Sequence, residues 1–407
     1  MRHQPGAFFL DSGEGTTGAH SLLGCCPTEE LRGSLWDPAS LREAVGLWPE
    51  ASPGDPFPLG GYFGHVTYEG DYHFGAYPHL LVFIHRERRW LEIGETSSWF
   101  LPARPTFCEL GDWDFQPVIT RSQFLERVCR AQESIAQGDI YQVNVAQPFR
   151  VRAPEGGLLG DPWSFYERLR HHSPAPFSAF FRREETTIVS SSPEEFLHIS
   201  GRGVRTQPIK GTRPRFRDER RDAASAAELV ASSKERAELL MITDLLRNDL
   251  GQFCEYGSVS VEKLLDLQAF RHIYHLVSEV RGTMRQGVHP VDVLRLCFPG
   301  GSITGAPKRR ACEIIREIEG EDRGVYTGAI GYFGFNGVAH FSIAIRTATM
   351  QPDWAEFRVG AGIVADSSPV MEYEETLHKA AGMLAAAHDI HRVGDKYPLL
   401  QSMSIAS

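Results

Sequence analysis

The chain has 407 residues, 42% of them hydrophobic and 23% charged, and a formal net charge of −10. That composition reads as a water-soluble globular protein with length for one large or two ordinary domains, and its charge argues against nucleic acid as the main partner. No apolar run reaches membrane-spanning length, and Met1-Arg2-His3-Gln4-Pro5 lacks the apolar stretch of a signal peptide. Seven cysteines without a CxxC pair point to reduced thiols, with adjacent Cys25-Cys26 read as packing rather than as a metal site. The expectation is a cytoplasmic enzyme.

In chain order, Gly61-Tyr62-Phe63-Gly64-His65-Val66 and Leu80-Leu81-Val82-Phe83-Ile84 read as strands between turn-rich segments. Thr120-Arg121-Ser122-Gln123 resembles a capping box, followed by Phe124, Val128, Ala131 and Ile135 at helical spacing. A boundary is placed there, dividing an N-terminal region (1–119) from a catalytic domain (120–390) and a tail (391–407). Tyr141 to Phe149 and Thr187 to Ser191 read as strands, and Ala223 to Leu250 as one or two helices. Val325 to Phe335 and Val338 to Met350 read as a hairpin, with Asn336-Gly337 suited to a type I′ turn. Phe357 to Val364 closes the strand set and Met371 to Ala387 the helices. Long hairpins separated by helices predict an α+β fold.

Several groups have residue types suited to chemistry. Glu235 and Glu238 lie three apart on one predicted helix, and Glu372 and Glu375 repeat the spacing on another. Such pairs are commonly solvated surface. If they converge, their hard oxygen donors suit Mg²⁺. Lys379, four residues after Glu375, extends that stripe as a salt-bridge partner or as a hold on a substrate carboxylate. Gly300-Gly301-Ser302-Ile303-Thr304-Gly305-Ala306-Pro307-Lys308 lacks the Gly-Lys-Ser/Thr ending of a phosphate loop. It reads as a glycine-rich loop entering a helix from Lys308 to Glu319, with backbone N–H groups free for an anion or used in an ordinary turn. Arg346 is expected to end a strand from His340, on the face of Ser342 and Ala344, where its fork suits a carboxylate if a cavity lies there. The Glu-x-x-His spacings at Glu195/His198 and Glu375/His378 lack a surrounding four-helix pattern.

Taken together the motifs resemble the chorismate-utilising enzymes. The matching stretches are Gly138 to Asn144, Ser192-Pro193-Glu194, Pro208-Ile209-Lys210-Gly211-Thr212, Asp244 to Leu250, Gly300 to Lys308, and Gly360 to Val364 followed by Glu372 to Lys379. They run in family order from about residue 120 to 390. The resemblance implies the layered β-sandwich flanked by helices of anthranilate synthase component I. It implies Mg²⁺ ligation by Glu238 and Glu375, with Glu235 and Glu372 close to the ion. It assigns Gly211, Thr212, Tyr326, Arg346, Gly360, Gly362 and Lys379 to the substrate's carboxylates, and His275 and Ser302 to the pocket wall. Glu194 matches the general acid that protonates the departing 4-hydroxyl of chorismate.

Two positions sort the subfamilies. Water-adding members carry a lysine near Gln142, so Tyr141-Gln142-Val143-Asn144 argues for ammonia as nucleophile. Where anthranilate synthases tend to have Pro-Ile-Ala-Gly-Thr, this chain has Lys210, which resembles component I of the aminodeoxychorismate synthases. The implied route is attack of Lys210 at C2, then ammonia attack at C4 that expels the lysine. The lysine must be neutral to attack, which burial and a nearby cation favour. An anthranilate synthase with an unusual lysine is the alternative, and a chorismate or tryptophan sensor the non-enzymatic one. No Gly-x-Cys-x-Gly nucleophile elbow occurs, so ammonia is expected from solution or from a glutamine amidotransferase subunit. His20-Ser21-Leu22-Leu23-Gly24 lies where the family places regulatory tryptophan, but departs from the inhibitable pattern.

Overall fold

The computed structural model describes residues 2–12, 20–48, 54–99, 113–155, 157–270 and 273–388. Among these, strands pair antiparallel into an eleven-stranded and a ten-stranded sheet, with helices against both. Aromatic residues alternate inward from the two sheets and fill the layer between them: Phe8, Phe63, Tyr77, Phe181 and Tyr332 share one buried cluster, with Phe8 and Phe63 stacked at 4.5 Å. A second core lies where the helices Arg121–Ala136, Pro162–His172, Lys308–Glu319 and Pro369–His388 cover the larger sheet. A third lies under Ser233–Gly251 and Pro290–Cys297 on the smaller sheet. The α+β sandwich is as expected. No described helix is long and apolar enough to cross a membrane.

Local sequence accounts for the elements near the site. Thr120 and Gln123 form the reciprocal capping box, and Phe124, Val128 and Ala131 are buried behind it. The segment from Ala223 to Leu250 is two helices, Glu219–Ala231 and Ser233–Gly251, with Ser232 ending one and capping the next. In Lys308–Glu319 the buried stripe Ala311, Ile314, Ile315 and Ile318 follows helical spacing, and Gly320 closes the helix in the left-handed region at φ 71°.

Three readings need correction. Both sheets draw strands from either side of Thr120: Phe8–Asp11 pairs with Phe177–Arg183, and Gly61–Val66 with Ala329–Gly334. The described residues before Thr120 therefore supply strands to the same two sheets as the part after it, and 391–407 lie outside the described residues. The hairpin turn has only Gly337 at positive φ, 86°, so Phe335 to Gly337 form a three-residue loop instead of a type I′ turn. Its second arm ends at Ile343; the chain then crosses to the other sheet as Thr347–Met350. Arg346 sits in that crossover at φ 48°, so strand alternation does not set its direction. The described cysteines are free, with Cys25 buried beside Trp99 and Cys26 exposed.

Candidate active site

A cavity of about 440 Å³ opens where the ends of the two sheets meet the helices Ser233–Gly251 and Pro369–His388. The smaller sheet contributes Ile209–Pro214, which carries Lys210, Gly211 and Thr212 and is bulged where it pairs with His275. Gly211 stands at φ 73°, and a Cβ there would lie 2.6 Å from Leu229 and 3.1 Å from the Glu235 carboxyl carbon. Glycine is required on both counts. The larger sheet contributes Trp354–Ile363, whose period-two face presents Arg358, Gly360 and Gly362. A Cβ at Gly360 would lie 2.5 Å from Asn144 Oδ1 and 2.9 Å from the Tyr326 hydroxyl; one at Gly362 would lie 3.7 Å from Lys210 Nζ. The two glycines thus open the floor on which a ligand can approach backbone.

Two helices supply carboxylates. Glu235 and Glu238 lie in the first turns of Ser233–Gly251, on a side that continues into its buried apolar face. Glu375 projects from Pro369–His388 with His378 and Lys379. Burial raises the pKa of Glu235, and the charges of Glu238 and Glu375 raise it further. Burial would raise Glu375 too, but the charge and hydrogen bond of Lys379, 2.8 Å away, hold it below the usual range. Lys210 Nζ lies 3.7 Å from Glu238 Oε2. Glu372 is not on the cavity wall: its carboxylate accepts from Ser367 at 2.7 Å and pairs with Lys234 at 3.1 Å. Lys234 links it to Glu238 at 4.0 Å.

Glu194 is buried in the wall of the same cavity. Burial pushes its pKa up to about 7, against the Ser302 hydroxyl and Ile209 N–H that donate to it and the charges of Lys210 and Lys379. Near neutrality it can hold a proton and release it, as a general acid must. Ser302 therefore serves Glu194 directly. His275 Nδ1 lies 3.0 Å from the Thr212 hydroxyl, which can donate or accept, and 3.2 Å from the Gly211 carbonyl, which can only accept; the carbonyl favours the tautomer with the proton on Nδ1. Burial, reinforced by the Arg346 charge, lowers the His275 pKa to about 4. Its Nε2 is then a buried acceptor with no partner, suited to a hydroxyl or amine and unsuited to a carboxylate. Arg346 lines the same cavity, and burial lowers its pKa without displacing it from the charged form.

The glycine-rich loop differs from an open anion cradle. Gly305-Ala306 pairs with Gln142 and Val143 in the sheet, and the Thr304 carbonyl accepts from Asn144 N–H. Lys308 turns away to Asp249 and the Cys297 carbonyl, both at 2.7 Å. The loop's contribution to the cavity is Ser302 and Ile303.

The cavity thus gathers Glu194, Lys210, Gly211, Thr212, Glu235, Glu238, His275, Ser302, Tyr326, Arg346, Gly360, Gly362, Glu375 and Lys379, from segments up to 185 positions apart. The profile described as chorismate binding enzyme covers residues 36–385. The chain belongs to the chorismate-binding enzyme family. Anthranilate synthase component 1 of Geobacillus stearothermophilus is 41% identical over 273 residues, 67% of this chain and 53% of that one. Aminodeoxychorismate synthase component 1 of Escherichia coli is 42% identical over 301 residues, 74% of this chain and 64% of that one. The chain thus aligns with about half to two thirds of these curated relatives' length. The crystal structure of anthranilate synthase component I from Streptococcus pneumoniae superposes with a TM-score of 0.79 at 30% identity, covering 91% of this chain and 93% of that one. The two named activities stand at nearly equal identity, so kinship leaves the choice of reaction to the residues of this chorismate-binding enzyme.

Lys234 and Arg358 also line the cavity without having been singled out from sequence, and so do Asn144, which entered only as the end of the Gly138 to Asn144 stretch, and His378, which entered only through its spacing from Glu375. Arg358 had a legible signal, since it shares the period-two face of Gly360 and Gly362. A second cavity, of about 240 Å³, lies between the sheets and includes His20 and Leu22 with Asp11, Glu195, Arg205 and His340. Glu195 there accepts from Arg205 and lies 2.9 Å from His340 Nε2, which accounts for its place in the sequence without a di-iron role.

Proposed function

We propose that this chain aminates chorismate at C4 to give 4-amino-4-deoxychorismate, with Lys210 as a covalent nucleophile. The observation that carries the reading is the placement of Lys210, the position that sorts the subfamilies, beside Gly362 and in the same cavity as Glu194. In the first step Lys210 Nζ forms a bond to C2, both ring double bonds shift one place towards C4, and the C4–O bond breaks. Glu194 gives the departing hydroxyl its proton, so it leaves as water. In the second step ammonia bonds to C4, both double bonds shift back, and the C2–N bond to Lys210 breaks, restoring the amine. Each displacement is easier than the single one it replaces. Arg346 and Lys379, with the backbone floor at Gly360 and Gly362, suit the substrate's carboxylates, and the His275 Nε2 acceptor suits a hydroxyl or the incoming amine.

Mg²⁺ fits the carboxylate wall. Glu235, Glu238 and Glu375 are oxygen donors; burial first, and then the charges of Glu238 and Glu375, raise the pKa of Glu235, and a divalent cation would relieve that like-charge crowding. Among the described residues no group of three His, Cys, Asp or Glu closes into a metal cage; Mg²⁺ commonly takes only one or two carboxylates and completes its shell with water and substrate. Glu238 and Glu375 would hold it, and when bound it would neutralise a substrate carboxylate. Ammonia would come from a separate glutamine amidotransferase subunit. Anthranilate formation is the second reading, favoured by the equal identity to both kinds of relative. Identifying the product from chorismate and ammonium separates the two.

A further inference from the structure

Behind the cavity, and outside its lining, Arg323 is 3% exposed and uses all five of its N–H groups. Nε donates to Glu319 Oε2 at 2.9 Å and Nη2 to Glu319 Oε1 at 2.6 Å. Nη2 also donates to the Asn144 carbonyl at 2.9 Å. Nη1 donates to the Ile303 carbonyl at 3.2 Å and the Thr327 hydroxyl at 3.3 Å. Glu319 in turn accepts from Ala146 N–H at 2.9 Å. The guanidinium lies over the Tyr68 ring at 4.8 Å and the Tyr326 ring at 5.7 Å.

The three neutral acceptors belong to three different walls of the cavity. Asn144 and Ile303 are themselves lining residues; Ile303 follows Ser302, which donates to Glu194, and Thr327 follows Tyr326. Thr327 stands at φ 62°, a conformation a β-branched residue holds only when its surroundings impose it. Its N–H is fixed on the Ala344 carbonyl, and its hydroxyl accepts from Arg323. A lone ion pair would stabilise little here, because desolvation offsets attraction. A fork that joins three walls to one carboxylate does something further.

We propose that Arg323 is a positioning residue for this reaction: anchored on Glu319, it sets the separations among Asn144, the Ser302–Glu194 pair and Tyr326. It touches neither substrate nor reacting atoms. The inference rests on the cavity being the chorismate site and holds for either product. Arg323→Lys keeps the charge but lacks the fork, so it cannot serve all the acceptors at once. Misplacing catalytic walls by an ångström costs up to about 100-fold, and we expect kcat/KM for chorismate to fall about 10- to 100-fold.

The test measures chorismate consumption with ammonium, whatever the product, well below each variant's thermal transition. Wild-type turnover checks the reading of the cavity; the ratio of variant to wild type checks Arg323. Arg183→Lys is the control, since Arg183 is equally buried and donates to the Phe63 carbonyl away from the cavity. It should melt earlier with kcat and KM unchanged. Should Arg323→Lys fail to fold, Glu319→Gln weakens the same anchor while keeping an acceptor for Ala146, and should lower kcat/KM in the same direction. A folded Arg323→Lys or Glu319→Gln enzyme with wild-type kcat and KM would overturn the proposal and leave Arg323 a purely structural ion pair.

Discussion

Lys210 Nζ and Glu238 Oε2 face each other at 3.7 Å across the gap between a strand of the smaller sheet and the helix Ser233–Gly251. The pair joins the two halves of the proposed chemistry, a nucleophilic amine and a carboxylate suited to Mg²⁺. Because the carboxylate contacts proposed for the substrate are assigned to other residues, the amine should be separable from binding. Lys210→Met should bind chorismate within a few-fold of wild type by calorimetry. Its turnover should fall by more than the ~10²–10⁴-fold associated with one general acid or base. Wild-type turnover in the Met variant would remove the covalent step.

Glu194 gives a pH signature. Its pKa of about 7 lies above the ordinary carboxylate value, so the acid form needed for protonating the hydroxyl is lost as pH rises through about 7. Single-turnover decay of chorismate at saturating free ammonia should therefore fall above that pH, and Glu194→Gln should abolish it. The folded state binds the proton more tightly than the unfolded chain, so wild-type stability should decline between about pH 4.5 and 7, by roughly 3 kcal/mol in all. Glu194→Gln should lack that decline. Denaturant titrations at pH 5 and 8 that change equally in both proteins would contradict the buried-acid assignment.

Mg²⁺ should raise the melting temperature, since ligand that binds only the folded state adds about 2.7 kcal/mol at 100 times its Kd. Glu238→Gln and Glu375→Gln should remove most of this shift, and Glu372→Gln much less, because Glu372 faces Lys234 and Ser367 off the cavity. Equal losses in all three variants would place the ion elsewhere on these helices.

Gly211→Ala should cost at least ~1 kcal/mol from its φ of 73° alone. The added Cβ also presses on Leu229 and the Glu235 carboxyl, so Mg²⁺-induced stabilisation should weaken with it. A thermal scan with and without Mg²⁺ checks both effects; an unchanged Mg²⁺ response would separate Gly211 from the carboxylate wall.

Glutamine should support turnover only after a glutamine amidotransferase subunit is added, and ammonium alone should suffice at alkaline pH. Glutamine-dependent product from the rigorously purified chain would contradict this.

Much of the site was legible because its chemistry sits in short, punctuated segments. Glycines at 211, 360 and 362 mark close approach, and the glutamate pairs sit on helices whose apolar spacing is clear. Arg346 was misplaced because alternation assumes a continuing strand, while the chain leaves its sheet after Ile343. For the Gly300 to Lys308 loop sequence left an anion site and an ordinary turn both open, and tertiary contacts decide: its backbone pairs with Gln142 and Val143, and its lysine with Asp249. Arg323 and Glu319 look like an ordinary i,i+4 surface pair in sequence, and only tertiary burial makes them a clamp.

The account turns on which bond ammonia makes. The most direct measurement is mass and ultraviolet analysis of the product formed by purified protein, chorismate, Mg²⁺ and ammonium at alkaline pH. We expect 4-amino-4-deoxychorismate, non-aromatic and retaining the enolpyruvyl group. Fluorescent anthranilate with release of pyruvate would contradict the assignment and give Lys210 another role.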